Sequence, residues 1–166
     1  MSNDPEIPPE RLFISDLGEL LHWYERNLCG EVIRDPRGHR VKFDAERFPY
    51  LIKLRNKSGG KLKKPLKAVE KIRRGALSNK DFGGFEPERA QTLPWLLPTI
   101  TRPTFILKNQ HLFIPGDELY AKEFDKEGYR YKILVCRRVS DRLLVPITSF
   151  PRTKLRTHAS ALLWPK

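Results

Sequence analysis

Two kinds of residue in this sequence can do chemistry at neutral pH: a histidine set among cations, and a long run of lysine and arginine. His39 lies in Arg37-Gly38-His39-Arg40-Val41-Lys42. An imidazole titrates near neutrality and can give or take a proton in water. The cations around this one would lower its pKa and favour the neutral, base form. The competing reading is a surface histidine beside a turn. His111 and His158 have no such context. Between residues 53 and 80 the chain carries eleven Lys or Arg against one acid, Glu70. Lys53, Lys61, Lys63, Lys64, Lys67, Lys71, Arg73 and Arg74 are therefore candidates for contact with phosphate. A solvated helix face normally mixes both signs, and this one hardly does.

That segment holds most of an excess that marks the whole chain. Among 166 residues, 32 Lys and Arg stand against 20 Asp and Glu, a formal net charge of +12. Such a field draws phosphate polymers or anionic membrane. No apolar run approaches the roughly 18 residues of a spanning helix, and residues 1–10 are acidic and Pro-rich, unlike a signal peptide. The expectation is a cytoplasmic protein that binds a polyanion, RNA first, with no membrane partner. Cys29 and Cys136 sit in segments that read as buried and are expected to be small core residues. No CxxC exists and the four His are far apart, so no metal site is expected. Gly83-Gly84 lacks the lysine and serine of a phosphate loop and the spacing of a dinucleotide fingerprint, so no cofactor is expected either.

The elements that must position these residues divide into a helical half and a sheet. Residues 1–10 read as a flexible acidic leader, followed by a single domain over 11–166. Apolar residues from Leu12 to Leu28 recur at spacings near three and four, with Ser15 and Asp16 as caps and Gly30 as a stop, which predicts an amphipathic helix with Trp23 packed on the core. Asp35-Pro36-Arg37-Gly38 is turn chemistry between the two arms of a short hairpin. Residues 45–53 fit a second short helix better than a strand. Residues 56–60 read as a loop, and Pro65 starts a helix that buries Leu66, Val69, Ile72 and Leu77. Residues 79–88 read as a flexible connection. Beyond Arg89 come short β-rich pieces: 105–107, 112–114 with a turn at Pro115-Gly116, and 118–124. A turn at Asp125-Lys126-Glu127-Gly128 then leads to 129–138 and, after Ser140-Asp141, to 143–150. The fold class is α+β, with N-terminal helices packed on a C-terminal antiparallel β-meander.

The order of these features resembles the phage-associated nucleases of the barnase, EndoU, colicin and RelE type, the BECR fold. The resemblance covers roughly residues 30–151. It rests on Gly38-His39-Arg40-Val41-Lys42-Phe43 with Phe48-Pro49-Tyr50-Leu51-Ile52-Lys53-Leu54, on Arg89-Ala90-Gln91-Thr92-Leu93-Pro94-Trp95-Leu96-Leu97-Pro98-Thr99-Ile100, on Leu119-Tyr120-Ala121-Lys122, and on Val145-Pro146-Ile147-Thr148-Ser149-Phe150. The Lys-rich stretch at 61–80 and the first helix are additions to a minimal member. The resemblance implies a toxin-like, metal-independent endoribonuclease associated with phage or mobile elements, in which a 2′-OH attacks the neighbouring phosphate of RNA, tRNA included. That chemistry needs a base, an acid and donors for a charged phosphorane. His39 would be the acid or base. Arg89, by its fork, and Lys122, as a point charge, would hold phosphate. Thr148 and Ser149 would donate to a non-bridging oxygen. An acidic inhibitor or immunity protein would restrain such an enzyme.

There are two rivals, and composition supports the first as well as it supports a nuclease. One is a non-catalytic RNA- or DNA-binding module in which the basic segment lies along phosphate and Tyr50, Phe82 or Phe85 stack on bases. The other is a nucleic-acid adaptor whose acidic leader contacts a protein.

Overall fold

The structure, a computed structural model, describes residues 5–110, 116–125, 128–155 and 161–165. His111, His158, the strand expected at 112–114, Pro115, and Lys126 and Glu127 of the turn read at 125–128 lie outside them.

Asp16 opens the helical half. Its carboxylate accepts the Glu19 N–H at 2.9 Å, and α1 runs over Leu17–Tyr24. A π-helical turn, Glu25–Cys29, widens the end before Gly30 stops it. The helix starts later than the apolar spacing from Leu12 suggested: Asp16, in extended conformation, is its N-cap, and Leu12 lies before it with its N–H on the Gln91 carbonyl. The turn at Asp35 behaves as read: Gly38 takes a left-handed φ of 83°, and β1 (Ile33–Arg34) pairs antiparallel with β2 (Arg40–Val41). Residues 45–53 are helical, as a 3-10 turn and α2 (Phe48–Ile52) ending on Lys53. The basic helix α3 spans Pro65–Arg73 with Pro65, Val69 and Ile72 buried. Leu66, expected on its buried side, is exposed.

The segment read as a flexible connection is ordered. β3 (Arg55–Asn56) pairs with β4 (Phe82–Gly84), and Phe82 and Phe85 pack against the core. Both rings are half-buried, and neither lines the groove described below. Two short helices follow, α4 (Pro87–Gln91) and α5 (Leu96–Thr101).

β5 (Phe105–Lys108), β6 (Glu118–Glu123), β7 (Tyr131–Ser140) and β8 (Leu143–Arg152) form the antiparallel meander. β2 joins β8 in parallel at one side, and β9 (Ala161–Trp164) joins β5 at the other. The order is β1-β2-β8-β7-β6-β5-β9. The architecture is thus mixed α+β. Alternate strand residues face opposite sides. Tyr120, Leu134 and Cys136 join α1, α2 and α5 in the main core, whereas Leu119, Ala121, Ile133 and Val135 build a smaller cluster on the other face. Tyr24 is wedged between Phe43 and Phe48, its ring 5.3 Å from that of Phe48, and its hydroxyl donates to the Asp44 carbonyl. Cys136 is buried and Cys29 half-buried, both as free thiols. Burial pushes Cys29 up to about 11.

The acidic leader, expected as a flexible arm, makes contacts with the folded domain in its described part. From Pro5 onward it lies on the sheet. The Glu6 carbonyl accepts the Asp125 N–H, and the Pro9 carbonyl accepts the Trp95 indole N–H at 2.8 Å. The Glu6 carboxylate binds Arg102 and Lys122. Those hydrogen bonds, led by Arg102, hold it below the usual carboxylate range despite some desolvation.

Lys132 is the costliest residue in the core. It is fully buried on β7, and its ammonium finds one acceptor, Thr92 Oγ1 at 2.8 Å, whose own proton goes to the Glu88 carbonyl. Desolvation, with Arg89 nearby, drives its pKa well below the ordinary lysine value. The folded state therefore binds fewer protons than the unfolded chain below about pH 10.4, and stability rises with pH through the interval between the two pKa values. We expect Lys132→Met to raise the unfolding midpoint at pH 7, and guanidinium titrations at pH 7 and pH 9 to show a gain for the native protein that this variant lacks.

Candidate nucleic-acid interface

β8 changes neighbours part-way along. Its first residues, Leu143 and Leu144, pair with β2, but beyond them, among the described residues, no strand lies along its outward edge. Buried backbone carbonyls must find donors, and two arginines supply them. Arg47, at the entrance to α2, donates from Nη2 to the Ile147 carbonyl at 3.2 Å. Arg89, on α4, donates from Nη1 to the Ser149 carbonyl at 3.0 Å and to Thr148 Oγ1 at 2.9 Å.

Between this edge and the helices opens a groove of about 1150 Å³. Its lining carries Arg47, Lys53, Arg55, Lys61, Arg89, Arg137 and Arg138 against the acids Asp44, Glu46 and Asp117. Two half-buried aromatic rings stand among the cations. Arg47 lies 4.3 Å over Tyr50, with Lys61 at 5.8 Å, and Phe150 has Arg152 at 4.5 Å and Arg89 at 5.5 Å. Focused positive potential beside π-faces suits a chain of phosphates and bases.

At the groove floor Arg89 is held from two sides. Its Nε binds Glu86 at 2.5 Å, and the other Glu86 oxygen takes the Lys53 ammonium at 3.1 Å. Burial pushes the Glu86 carboxyl up, but the hydrogen bonds from Arg89 and Lys53 outweigh it and leave the pKa below the usual value. Glu86 is ionised at neutral pH.

His39 sits at one end, outside the lining, in a network of paired charges. Asp35 accepts the Tyr120 hydroxyl at 2.6 Å and a forked pair from Arg37. Glu118 bridges Arg37 at 2.7 Å and Arg138 at 2.5 Å. Arg138 Nη2 lies 3.1 Å from His39 Nδ1. A guanidinium has only donors, so Nδ1 is the acceptor and the imidazole is neutral with its proton on Nε2. Burial, then Arg37, lowers the His39 pKa, with Arg138 adding to it. The direction agrees with the sequence reading, although Arg138 acts where Arg40 and Lys42 were expected.

The predicted residues thus separate. Arg89 and Thr148 meet at the groove floor, with Lys53 and Lys61 in its walls. Ser149 is corrected: its hydroxyl is buried and donates to the Ile133 carbonyl at 2.8 Å, because it points into the sheet. Lys122 is corrected too, since its ammonium is held by Glu6 at 2.8 Å and by the Arg102 carbonyl, away from Arg89. Lys63, Lys64, Lys67, Lys71 and Arg74 lie on or beside α3, outside the groove lining, and Arg73 is tied to Glu25. The sequence reading missed Arg47, Arg137 and Arg138, and counted Arg55 only within the basic segment 53–80. The adjacent arginines of β7 interrupt an apolar strand, and that was the available signal. Among the described residues no group of three or more His, Cys, Asp or Glu could hold a metal, and no helix is long and apolar enough to cross a membrane. No family model, curated protein or solved structure matches the chain.

Because the His39 pKa is lowered by folding, its contribution to stability is complete above the unfolded value, about 6.5, and is lost as pH falls below it. Thermal unfolding at pH 7.5 and pH 5.5 should show a larger drop in Tm for the native protein than for His39→Gln. Equal drops would mean that the Arg138 contact does not hold His39 neutral.

Proposed function

We propose that this chain is a metal-independent endoribonuclease of BECR type that lays single-stranded RNA in the groove along β8. The observation that carries the reading is the joining of cations, two aromatic rings and the Arg89–Thr148 pair in one groove, with Glu86 bound to Arg89 and Lys53 beside its lining. Arg89 spends Nε and Nη1 on the protein, which leaves Nη2 for a phosphate oxygen. In the reaction Glu86 takes the 2′-OH proton, the 2′ oxygen attacks the adjacent phosphorus, and the P–O5′ bond breaks. Lys53, 3.1 Å from Glu86, protonates the departing oxygen. Arg89 and Thr148 stabilise the phosphorane charge. The products are a 2′,3′-cyclic phosphate and a 5′-OH. Glu86 replaces His39 as base because it is bound to Arg89 and Lys53, both in the groove lining, whereas the His39 ring meets Arg138 at the groove's end. A nuclease of this charge fits a toxin-like role, held in check by an acidic protein covering the groove.

One observation favours a second reading, a binding module without chemistry. His39, the imidazole in this part of the fold, is outside the groove lining with its Nδ1 engaged.

The test is incubation in EDTA with a labelled RNA and with the same RNA bearing one 2′-deoxy position. We expect 2′,3′-cyclic phosphate ends and no cut at the deoxy position. Arg89→Ala should lower the cleavage rate by about 10²- to 10³-fold while changing RNA affinity far less. Salt-sensitive binding with no cleavage would sink the nuclease in favour of the binding module.

A further inference from the structure

The groove and α3 present different surfaces to a polyanion, and they are continuous. The groove offers cations together with Tyr50 and Phe150. Around α3, residues 61–74 contain no aromatic residue. Lys67, Lys71 and Arg74 follow one another at helical spacing along about 10 Å of helix, with Lys63 and Lys64 just before it. Lys63, Lys64, Lys67 and Arg74 are exposed and Lys71 is half-buried. Among the described residues none of these five makes an ion pair, whereas Arg73 is taken up by Glu25. The two surfaces meet at Glu46, which lines both the groove and the hollow at the start of α3 beside Lys64 and Lys67. Lys61 stands on the groove side of the same junction.

We infer that the ligand is an RNA in which a single-stranded stretch runs directly into a duplex, the strand lying in the groove and the duplex backbone on α3. Stacking on Tyr50 and Phe150 requires bases that are out of a helix. A face of unpaired cations without rings can read only phosphate, and phosphate is what a duplex shows when its bases are stacked inside. Neither surface alone selects this junction; their order along the protein does. The inference rests on the RNA reading of the groove and adds the substrate class.

The experiment uses full-length protein and 2′-O-methyl RNAs, which offer no 2′-OH for cleavage: a short single strand, a hairpin carrying that strand as a tail at either end, and the blunt hairpin. Native protein should bind one of the tailed hairpins at least about tenfold tighter than the single strand, since linked contacts reinforce each other. Replacing Lys63, Lys64, Lys67, Lys71 and Arg74 together by Gln, four of them exposed and Lys71 half-buried, should abolish that advantage and leave single-strand affinity within about twofold. Its slope of log affinity against log salt on the tailed hairpin should be shallower by up to about four. Arg47→Ala with Tyr50→Ala should instead weaken the single strand and spare the blunt hairpin. Equal affinity of native protein for tailed hairpins and single strand, or equal losses on both RNAs in the five-site variant, would overturn the inference. Failure of native protein to bind the single strand at all would bring down the RNA reading of the groove, and the inference with it.

Discussion

The unpaired edge of β8 is the constraint on which the site depends. A strand that leaves its neighbour after Leu144 exposes carbonyls that the interior cannot leave unsatisfied. Arg47 and Arg89 meet that need from two separate helices. Each hydrogen bond also fixes a positive charge beside the sheet. The groove is thus a by-product of finishing the sheet with side chains in place of another strand, and its charge follows from the donors used. Arginine suits the task because one nitrogen can serve the carbonyl while the others remain for Glu86, Thr148 or a ligand.

A second constraint acts at the end of the same groove. Asp35 and Glu118 are buried carboxylates, and a buried charge is tolerated only when paired and hydrogen-bonded. Desolvation would raise both pKa values, but the bonds from Arg37, from Tyr120 on Asp35 and from Arg138 on Glu118 bring them below the ordinary range. The network locks the β1–β2 hairpin to β6 and β7 and holds Arg138 at the groove. It also sets His39 Nδ1 against the Arg138 guanidinium. A histidine among cations is as easily a structural acceptor as a catalyst, and spacing in the chain does not separate the two.

Much of the fold was legible. Cap chemistry at Asp16, the turn at Asp35, Pro65 at a helix start and the period-two apolar runs from Phe105 onward are local signals, and the structure follows them. Apart from Leu66, placed on the wrong side of α3, the failures were long-range. β4 pairs with β3 across the intervening basic helix, a contact with no local signature in Phe82-Gly83-Gly84. Glu6 reaches Arg102 and Lys122, so an acidic arm that reads as solvated is drawn onto a basic protein. Lys132, in phase with the apolar residues of β7, is buried because the strand's alternation assigns it to the inner face regardless of its charge.

By itself the sequence determined the sign and scale of the charge, its concentration at residues 53–80, and the succession of helices followed by hairpins. These depend on residue type and on neighbours within a turn or two. Only the tertiary structure decided which cations act together. Arg47, Arg89 and Arg138 lie far apart in the chain and converge because β8 presents its edge to two helices and its partner β7 ends beside them. Which hydroxyl of Thr148-Ser149 faces the groove was likewise a matter of strand register, since successive side chains point to opposite faces and a shift of one residue exchanges them.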